Sequence, residues 1–66
     1  MDSIELTERL TESLRKGLAE IAVSGDQMVI LNLQSKYVIC KDMLVVYHAK
    51  GVRQYPIGRI THVQTV

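Results

Sequence analysis

The amino-acid sequence predicts an α+β fold, in which one N-terminal amphipathic helix packs on a strongly bent, five-stranded antiparallel sheet. Leucines recur every four residues in the first third of the chain. Short runs rich in Val, Ile and Tyr then fill residues 27–66, separated by polar or glycine-containing turns. Because such short turns join antiparallel neighbours, we expect a meander or a small open barrel.

The helix is predicted by its first residues and by its apolar stripe. Asp2 or Ser3 can cap it, and Glu5 stands at the capping-box distance from Asp2. The stripe is also the candidate face through which the helix contacts a partner, and it consists of Leu6, Leu10, Leu14 and Leu18.

The end of the helix has two interpretations. Basic residues followed by Gly17 are typical of a helix C-terminus, which leaves residues 18–23 to form an extra strand. Alternatively Gly17 is tolerated inside the helix, at a cost of about 1 kcal/mol. The stripe continues through Ile21 and Ala22, which favours the longer helix; a turn at residues 24–26 follows either way.

The remaining chain is predicted to hold five strands, at residues 28–33, 37–40, 43–48, 52–57 and 60–66. Gly51 suits the positive-φ position of a short hairpin loop. Pro56 places its strand at an edge, because proline has no N–H to donate to a neighbour. The chain therefore forms a single domain (residues 1–66), with the helix and turn in 1–24 and the sheet in 27–66.

The length and composition predict self-association. A domain of 66 residues is near the lower size limit for a single apolar core, and the usual supports of such domains are disulfides, metals or oligomerisation. Cys40 is the only cysteine, so no internal disulfide can form. With few aromatic residues the core is aliphatic, and each side chain buries little area. We therefore expect a homo-oligomer.

A lone cysteine and an acidic N-terminus without an export signal predict a cytoplasmic protein. The longest apolar runs are too short to span a bilayer, so we expect no membrane insertion.

The sequence gives no sign of catalysis, and we expect no enzyme, cofactor or metal site. His48 and His62 lie far apart in the sequence without acidic or cysteine residues at ligand spacing, so they are expected on strand faces. Nothing specifies a base or an electropositive pocket for Cys40, which is expected to be a small buried apolar residue.

The charges are unevenly distributed. Residues 1–23 carry five acidic and three basic side chains, whereas residues 24–66 carry two acidic and five basic ones. Basic turn residues near Tyr could bind phosphates and stack bases. The competing interpretation, favoured by the net charge of only +1, is that they keep sheet edges soluble. The candidate nucleic-acid or partner contacts are Lys36, Lys41, Lys50, Arg53, Tyr55 and Arg59.

Residues 55–63, which run through a short bend into Ile60-x-x-Val63, are similar to the closing strands of Sm-like proteins, including the Hfq-like group. Residues 42–47 resemble the strand before that closure. The resemblance implies a small SH3/Sm-like barrel that assembles into a ring. The Gly of the second-strand bend and the Tyr-Lys-His triplet of the RNA pocket are not present, so the RNA-binding residues do not carry over.

The stretch from residue 37 to residue 63 is equally similar to bacterial pleckstrin-homology-like domains. Those domains are longer and end in a helix, so the length favours the small barrel. We expect a non-enzymatic regulatory or adaptor protein that acts through protein–protein contacts. The alternative is an Sm-like RNA- or DNA-binding protein that uses the basic turn residues.

Overall fold

The computed structural model describes residues 1–65 of the chain. One α-helix is followed by six strands and one short 3-10 helix. Their bounds are α1 Ser3–Arg15, β1 Leu18–Val23, β2 Gln27–Asn32, β3 Lys36–Cys40, β4 Met43–His48, β5 Gly51–Pro56, η1 Ile57–Arg59 and β6 Ile60–Thr65. The α+β class predicted from the sequence is confirmed, and the helix precedes the strands as expected.

The helix begins where its cap predicts. Asp2 has extended backbone and accepts a hydrogen bond from the N–H of Glu5 on Oδ1, at 2.7 Å. It ends at Arg15, so the longer helix favoured by the sequence is wrong. Gly17 has φ +128°, a backbone angle that residues with a side chain rarely adopt. This conformation turns the chain out of the helix and into β1.

The apolar stripe predicted a longer helix because the apolar residues of 18–23 fit both the period of a helix and the period of a strand. In β1 every second side chain is buried, namely Ala19, Ile21 and Val23, which is the pattern of a half-buried strand. Ile21 therefore reaches the core from a strand as readily as it would from a helix. Leu18, the fourth leucine of the stripe, is instead 37% exposed.

The strands form two three-stranded antiparallel sheets rather than one five-stranded meander. Sheet A has the order β2-β1-β6, and sheet B has the order β3-β4-β5. Sheet B alone is a meander, because β6 returns to pair with β1. Pro56 lies in β5, at an edge of sheet B, as its missing N–H predicts. The predicted last strand includes Val66, which is outside the described residues.

A polar turn separates β2 from β3. The Asn32 N–H donates to Ser35 Oγ at 3.0 Å, and the Gln34 N–H donates to Asn32 Oδ1 at 2.8 Å. These side chains satisfy backbone groups that would otherwise continue a strand. The turn therefore leads the chain from sheet A to sheet B.

The core lies between α1 and the inward side chains of both sheets. It is aliphatic, as the composition predicts, and its buried members are Leu6, Leu10, Leu14, Ala19, Ile21, Val23, Val29, Leu31, Leu44, Val46, Ile57, Ile60 and Val63. The helix packs on β1 and β6 of sheet A. Sheet B supplies two fully buried residues, Leu44 and Val46, both from β4. Its partly buried Tyr37, Ile39 and Tyr55 also pack against the core, so sheet B has fewer fully buried side chains than sheet A.

Within residues 1–65 no helix has both the length and the apolarity needed to cross a membrane.

Candidate binding surfaces

Three of the six predicted contact residues come together in a groove between the two sheets, which we call the intersheet groove. One part, about 350 Å³, is bounded by Gln27–Ile30 of β2 on one side and by His48, Arg53 and Tyr55 on the other. A second part, about 230 Å³, shares Gln27, Arg53 and Tyr55 and extends to Arg59. The sequence alone did not indicate that β2 forms the opposite wall.

Strand register places Arg53 and Tyr55 in this groove. Arg53 is paired with Val46 of β4, and Tyr55 with Leu44. Because paired residues point to the same face of a sheet, both side chains lie on the face that carries the buried Leu44 and Val46. Tyr55 packs against the core and is half-buried, whereas Arg53 is exposed.

Arg59 is fixed at the other end of the groove by the turn between β1 and β2. Its Nε donates to Ser24 Oγ at 3.1 Å, and its carbonyl accepts the Ser24 N–H at 2.8 Å. This holds the side chain over Gly25, where an added Cβ would lie 3.9 Å from the Arg59 guanidinium. The guanidinium therefore has a defined position although it lies at the surface.

The groove is electropositive. Arg53 and Arg59 line it, and no carboxylate of residues 1–65 belongs to its lining. In the described part of the chain neither arginine has a carboxylate within 4.0 Å. The helix differs, because its arginines are paired: Arg9 contacts Glu5 at 2.8 Å and Arg15 contacts Glu12 at 2.6 Å. The groove arginines are therefore available to an external anion.

Both strands that border the groove meet it along their edges. Four consecutive residues of β2, 27–30, line the groove, as do four consecutive residues of β5, 53–56. Successive side chains of a strand point to opposite faces, so a run of consecutive lining residues means that the strand edge, with its backbone groups, faces the opening. Both β2 and β5 are edge strands of their sheets.

The remaining predicted contacts lie apart from Arg59. Lys50 is in the β4–β5 hairpin, whose open concavity of about 820 Å³ adjoins the groove at His48 and Arg53. Lys36 is paired with Tyr47 on the outer face of sheet B. Lys41, in the β3–β4 turn with φ +55°, borders a hollow with Ser3 and Thr7 of α1. The six residues therefore do not form one continuous basic track.

A second surface, which was not predicted from the sequence, is the outer face of sheet B. Val38 is paired with Val45, and Tyr47 with Val52, on the face opposite the core. Val38, Tyr47 and Val52 are each about half exposed, at 47%, 48% and 52%. Sheet B is therefore apolar on both sides, and the runs of consecutive Val, Ile and Leu in 37–47 are the signal that could have indicated it.

The predicted partner face of the helix is mostly buried inside this chain. Leu6, Leu10 and Leu14 are buried in the core of this chain, and Leu18 belongs to β1. Three of the four leucines therefore hold the helix on sheet A, and the prediction that they face a partner needs correction. The amphipathic period identified the buried face correctly, but a period alone does not tell an intramolecular contact from an intermolecular one.

The two histidines and the cysteine also have defined positions. His48 lines the intersheet groove, and His62, in β6, is paired with Ala22 and exposed. Cys40 is exposed at the end of β3, so the expectation of a buried cysteine is wrong. It is paired with Met43 on the outer face of sheet B, outside the core. Residues 1–65 contain no group of three or more His, Cys, Asp or Glu side chains that could hold a metal ion.

Comparison of the chain with models of protein families, with characterised proteins and with solved structures found no match.

Proposed function

We propose that this chain is a small, non-enzymatic adaptor or regulatory protein, and that it acts through protein–protein contacts as a homo-oligomer. The observation that carries the proposal is the exposed apolar outer face of sheet B, formed by Val38, Val45, Tyr47 and Val52. Contiguous apolar surface of this kind is typical of interaction sites.

The small number of fully buried side chains in sheet B supports the same proposal. A three-stranded sheet needs a substantial hydrophobic face to be stable, and sheet B buries only Leu44 and Val46 completely. Covering its outer face with a second copy would remove further apolar area from water, at about 25 cal/mol per Å². Lys36 is the only charged residue in the rows of paired residues on this face, so two such faces would meet without strong charge repulsion.

Light scattering with and without a charge on this face tests the proposal. We expect the unmodified protein to have a mass above the 7.5 kDa of one chain at micromolar concentration. Val52→Glu places a carboxylate on the face and should reduce the mass to that of one chain. Gln34→Glu adds the same charge in the exposed β2–β3 turn and should leave the oligomer unchanged. A 7.5 kDa species for the unmodified protein would refute homo-oligomerisation.

Nucleic-acid binding is a second candidate, favoured by the juxtaposition of Arg53, Tyr55 and Arg59 in the intersheet groove. Two guanidinium groups and one phenol ring match the chemistry of a phosphate backbone with a stacked base. An oligonucleotide retained at low salt, and released steeply as salt rises, would support it. Retention that is unchanged in Arg53→Glu would count against it.

We also propose that the two sheets form a small open barrel of the Sm-like type. An N-terminal helix, the bend between β2 and β3, and the short helix η1 between β5 and β6 support this proposal. An experimental structure in which sheets A and B pack separately, without curving around a common core, would exclude it.

A further inference from the structure

The intersheet groove combines free strand edges with unpaired positive charge. β2 is an edge strand of six residues, and residues 27–30 line the groove edge-on. Antiparallel ladder bonds alternate along a strand, so about half of the N–H and C=O groups of β2 point away from its neighbour β1. Arg53 stands across the opening from β2, and Arg59 stands at the end of the groove beside the β1–β2 turn. Within residues 1–65 neither arginine forms an ion pair with a carboxylate.

β2 lacks the features by which proteins protect an edge. Such edges usually carry lysine, other charges or proline, which prevent another strand from pairing. The sequence of β2, Gln-Met-Val-Ile-Leu-Asn, contains none of these, and Met28 and Ile30 are more than half exposed. β5, across the groove, contains both Arg53 and Pro56. β2 is thus the edge better suited to accept a strand.

We propose that the intersheet groove binds an extended, acidic segment of a partner protein, which adds as a strand to the free edge of β2. Strand addition supplies main-chain hydrogen bonds, and alternate side chains supply specificity. Carboxylates on one side of the segment meet Arg53 and Arg59, and apolar side chains on the other side lie beside Met28 and Ile30. The inference rests on the proposed adaptor function and names the class of partner.

The shape of the groove favours a peptide over a nucleic acid. Tracking a phosphate backbone requires several cations in a row, because each bound phosphate contributes modestly in physiological salt. The groove itself has two guanidinium groups. Lys50 lies in the adjoining hairpin concavity, and Lys36 and Lys41 lie elsewhere. Its walls are the edges of two strands, β2 and β5, which match an extended polypeptide.

The test uses a synthetic peptide of alternating valine and glutamate, six residues long like β2. The peptide is titrated into the protein, and binding is followed by the amide chemical shifts of the protein. We expect the largest shifts in residues 27–32 and 53–56. A peptide with lysine in place of glutamate should not bind. N-methylation of alternate peptide bonds should abolish binding, because it removes the ladder donors.

Matched variants isolate the charge contribution. Arg53→Gln removes one groove cation and should weaken binding about tenfold, as the loss of a charge-assisted hydrogen bond predicts. Lys36→Gln removes one cation from the outer face of sheet B and should leave the affinity unchanged. Arg53 is exposed and makes no ion pair in the described chain, and the amide spectrum of the free variant verifies that the fold is intact.

Four outcomes would overturn the inference. Equal affinity for the lysine peptide would show that binding does not depend on the charge of the peptide. Unchanged affinity in Arg53→Gln would show that Arg53 does not contribute to binding. Binding of an oligothymidylate in the same groove, without binding of the acidic peptide, would assign the groove to nucleic acid. Shifts in residues 27–32 that follow protein concentration alone would assign the edge to a second copy. The mass of the free protein is measured separately, so failure here is distinct from failure of the homo-oligomer proposal.

Discussion

Ser24 and Arg59 are 35 positions apart in the sequence and are joined by two hydrogen bonds. The Ser24 N–H donates to the Arg59 carbonyl at 2.8 Å, and Arg59 Nε donates to Ser24 Oγ at 3.1 Å. Ser24 opens the β1–β2 turn, and Arg59 ends η1, immediately before β6. The pair therefore joins the end of η1 to the turn that leads into β2, and it fixes the position of one guanidinium group of the groove.

A double-mutant cycle on Ser24→Ala and Arg59→Ala should show coupling. Each single change removes the same side-chain hydrogen bond while the backbone bond remains. A bond of this kind contributes about 0.5–1.5 kcal/mol to the free energy of unfolding. We expect the effect of both changes together, measured by urea denaturation, to be smaller than the sum of the two. Strict additivity would show that the side-chain bond does not contribute.

Gly25→Ala should destabilise the fold, and Gly58→Ala should not. Gly25 has φ +87°, where a Cβ is strained although the nearest atom, of Arg59, is 3.9 Å away. Gly58 has no positive φ and no neighbour within 4 Å of an added Cβ. We expect Gly25→Ala to lower the free energy of unfolding by about 1–2 kcal/mol. Equal melting temperatures for the two variants would contradict this.

Leu10→Ala and Leu18→Ala separate the buried stripe from its exposed end. Leu10 lies on the buried face of α1 and is completely buried. Its truncation should therefore lower the free energy of unfolding by about 2–5 kcal/mol. Leu18 is 37% exposed in β1, and its truncation should cost about 1 kcal/mol or less. Chemical denaturation measures both. Similar losses for the two variants would contradict the difference in burial between Leu10 and Leu18.

The Glu12 carboxyl should titrate below its usual range because of Arg15. The hydrogen bond from Arg15 lowers the pKa of Glu12, and the positive charges of Arg15 and Lys16 lower it further. A lowered pKa means that the interaction is fully present above the ordinary pKa of glutamate, and is lost as the pH falls through the lowered value.

Arg15→Gln should therefore raise the pKa of Glu12 towards its ordinary value, as followed by the carboxyl carbon shift in an NMR titration. Arg9→Gln removes a cation that is paired with Glu5, and it should leave the pKa of Glu12 unchanged. A Glu12 pKa that rises equally in both variants would indicate a general charge effect rather than the specific pair.

Local patterns predicted most of the secondary structure. The strand at residues 43–48 agrees with β4 at both ends, and β2, β3 and β5 lie within one residue of their predicted bounds. Asp2, as the helix cap, and Pro56, as a sign of an edge strand, act through their own backbone and nearest neighbours. Such effects are visible in a single sequence because they need no distant partner.

The candidate site was predictable only as a set of residue types. Arg53, Tyr55 and Arg59 were named from the charge and aromatic content of the turns, but nothing in the sequence placed them opposite Gln27 and Ile30. That juxtaposition depends on how the two sheets meet. Cys40 shows the same limit: its apolar character suggested burial, whereas strand alternation placed it on the outer face.

The sequence by itself determined the α+β class, the start of the helix, the turns and the aliphatic nature of the core, because caps, glycines, proline and side-chain periodicity act over a few residues. Only the tertiary structure decided that residues 18–23 form a strand, that β6 returns to β1, and that β2 and β5 border a groove. These features depend on pairing between segments far apart in the chain. Where a segment such as 18–23 fits both a helical and a strand period, the partners available in space select one of them.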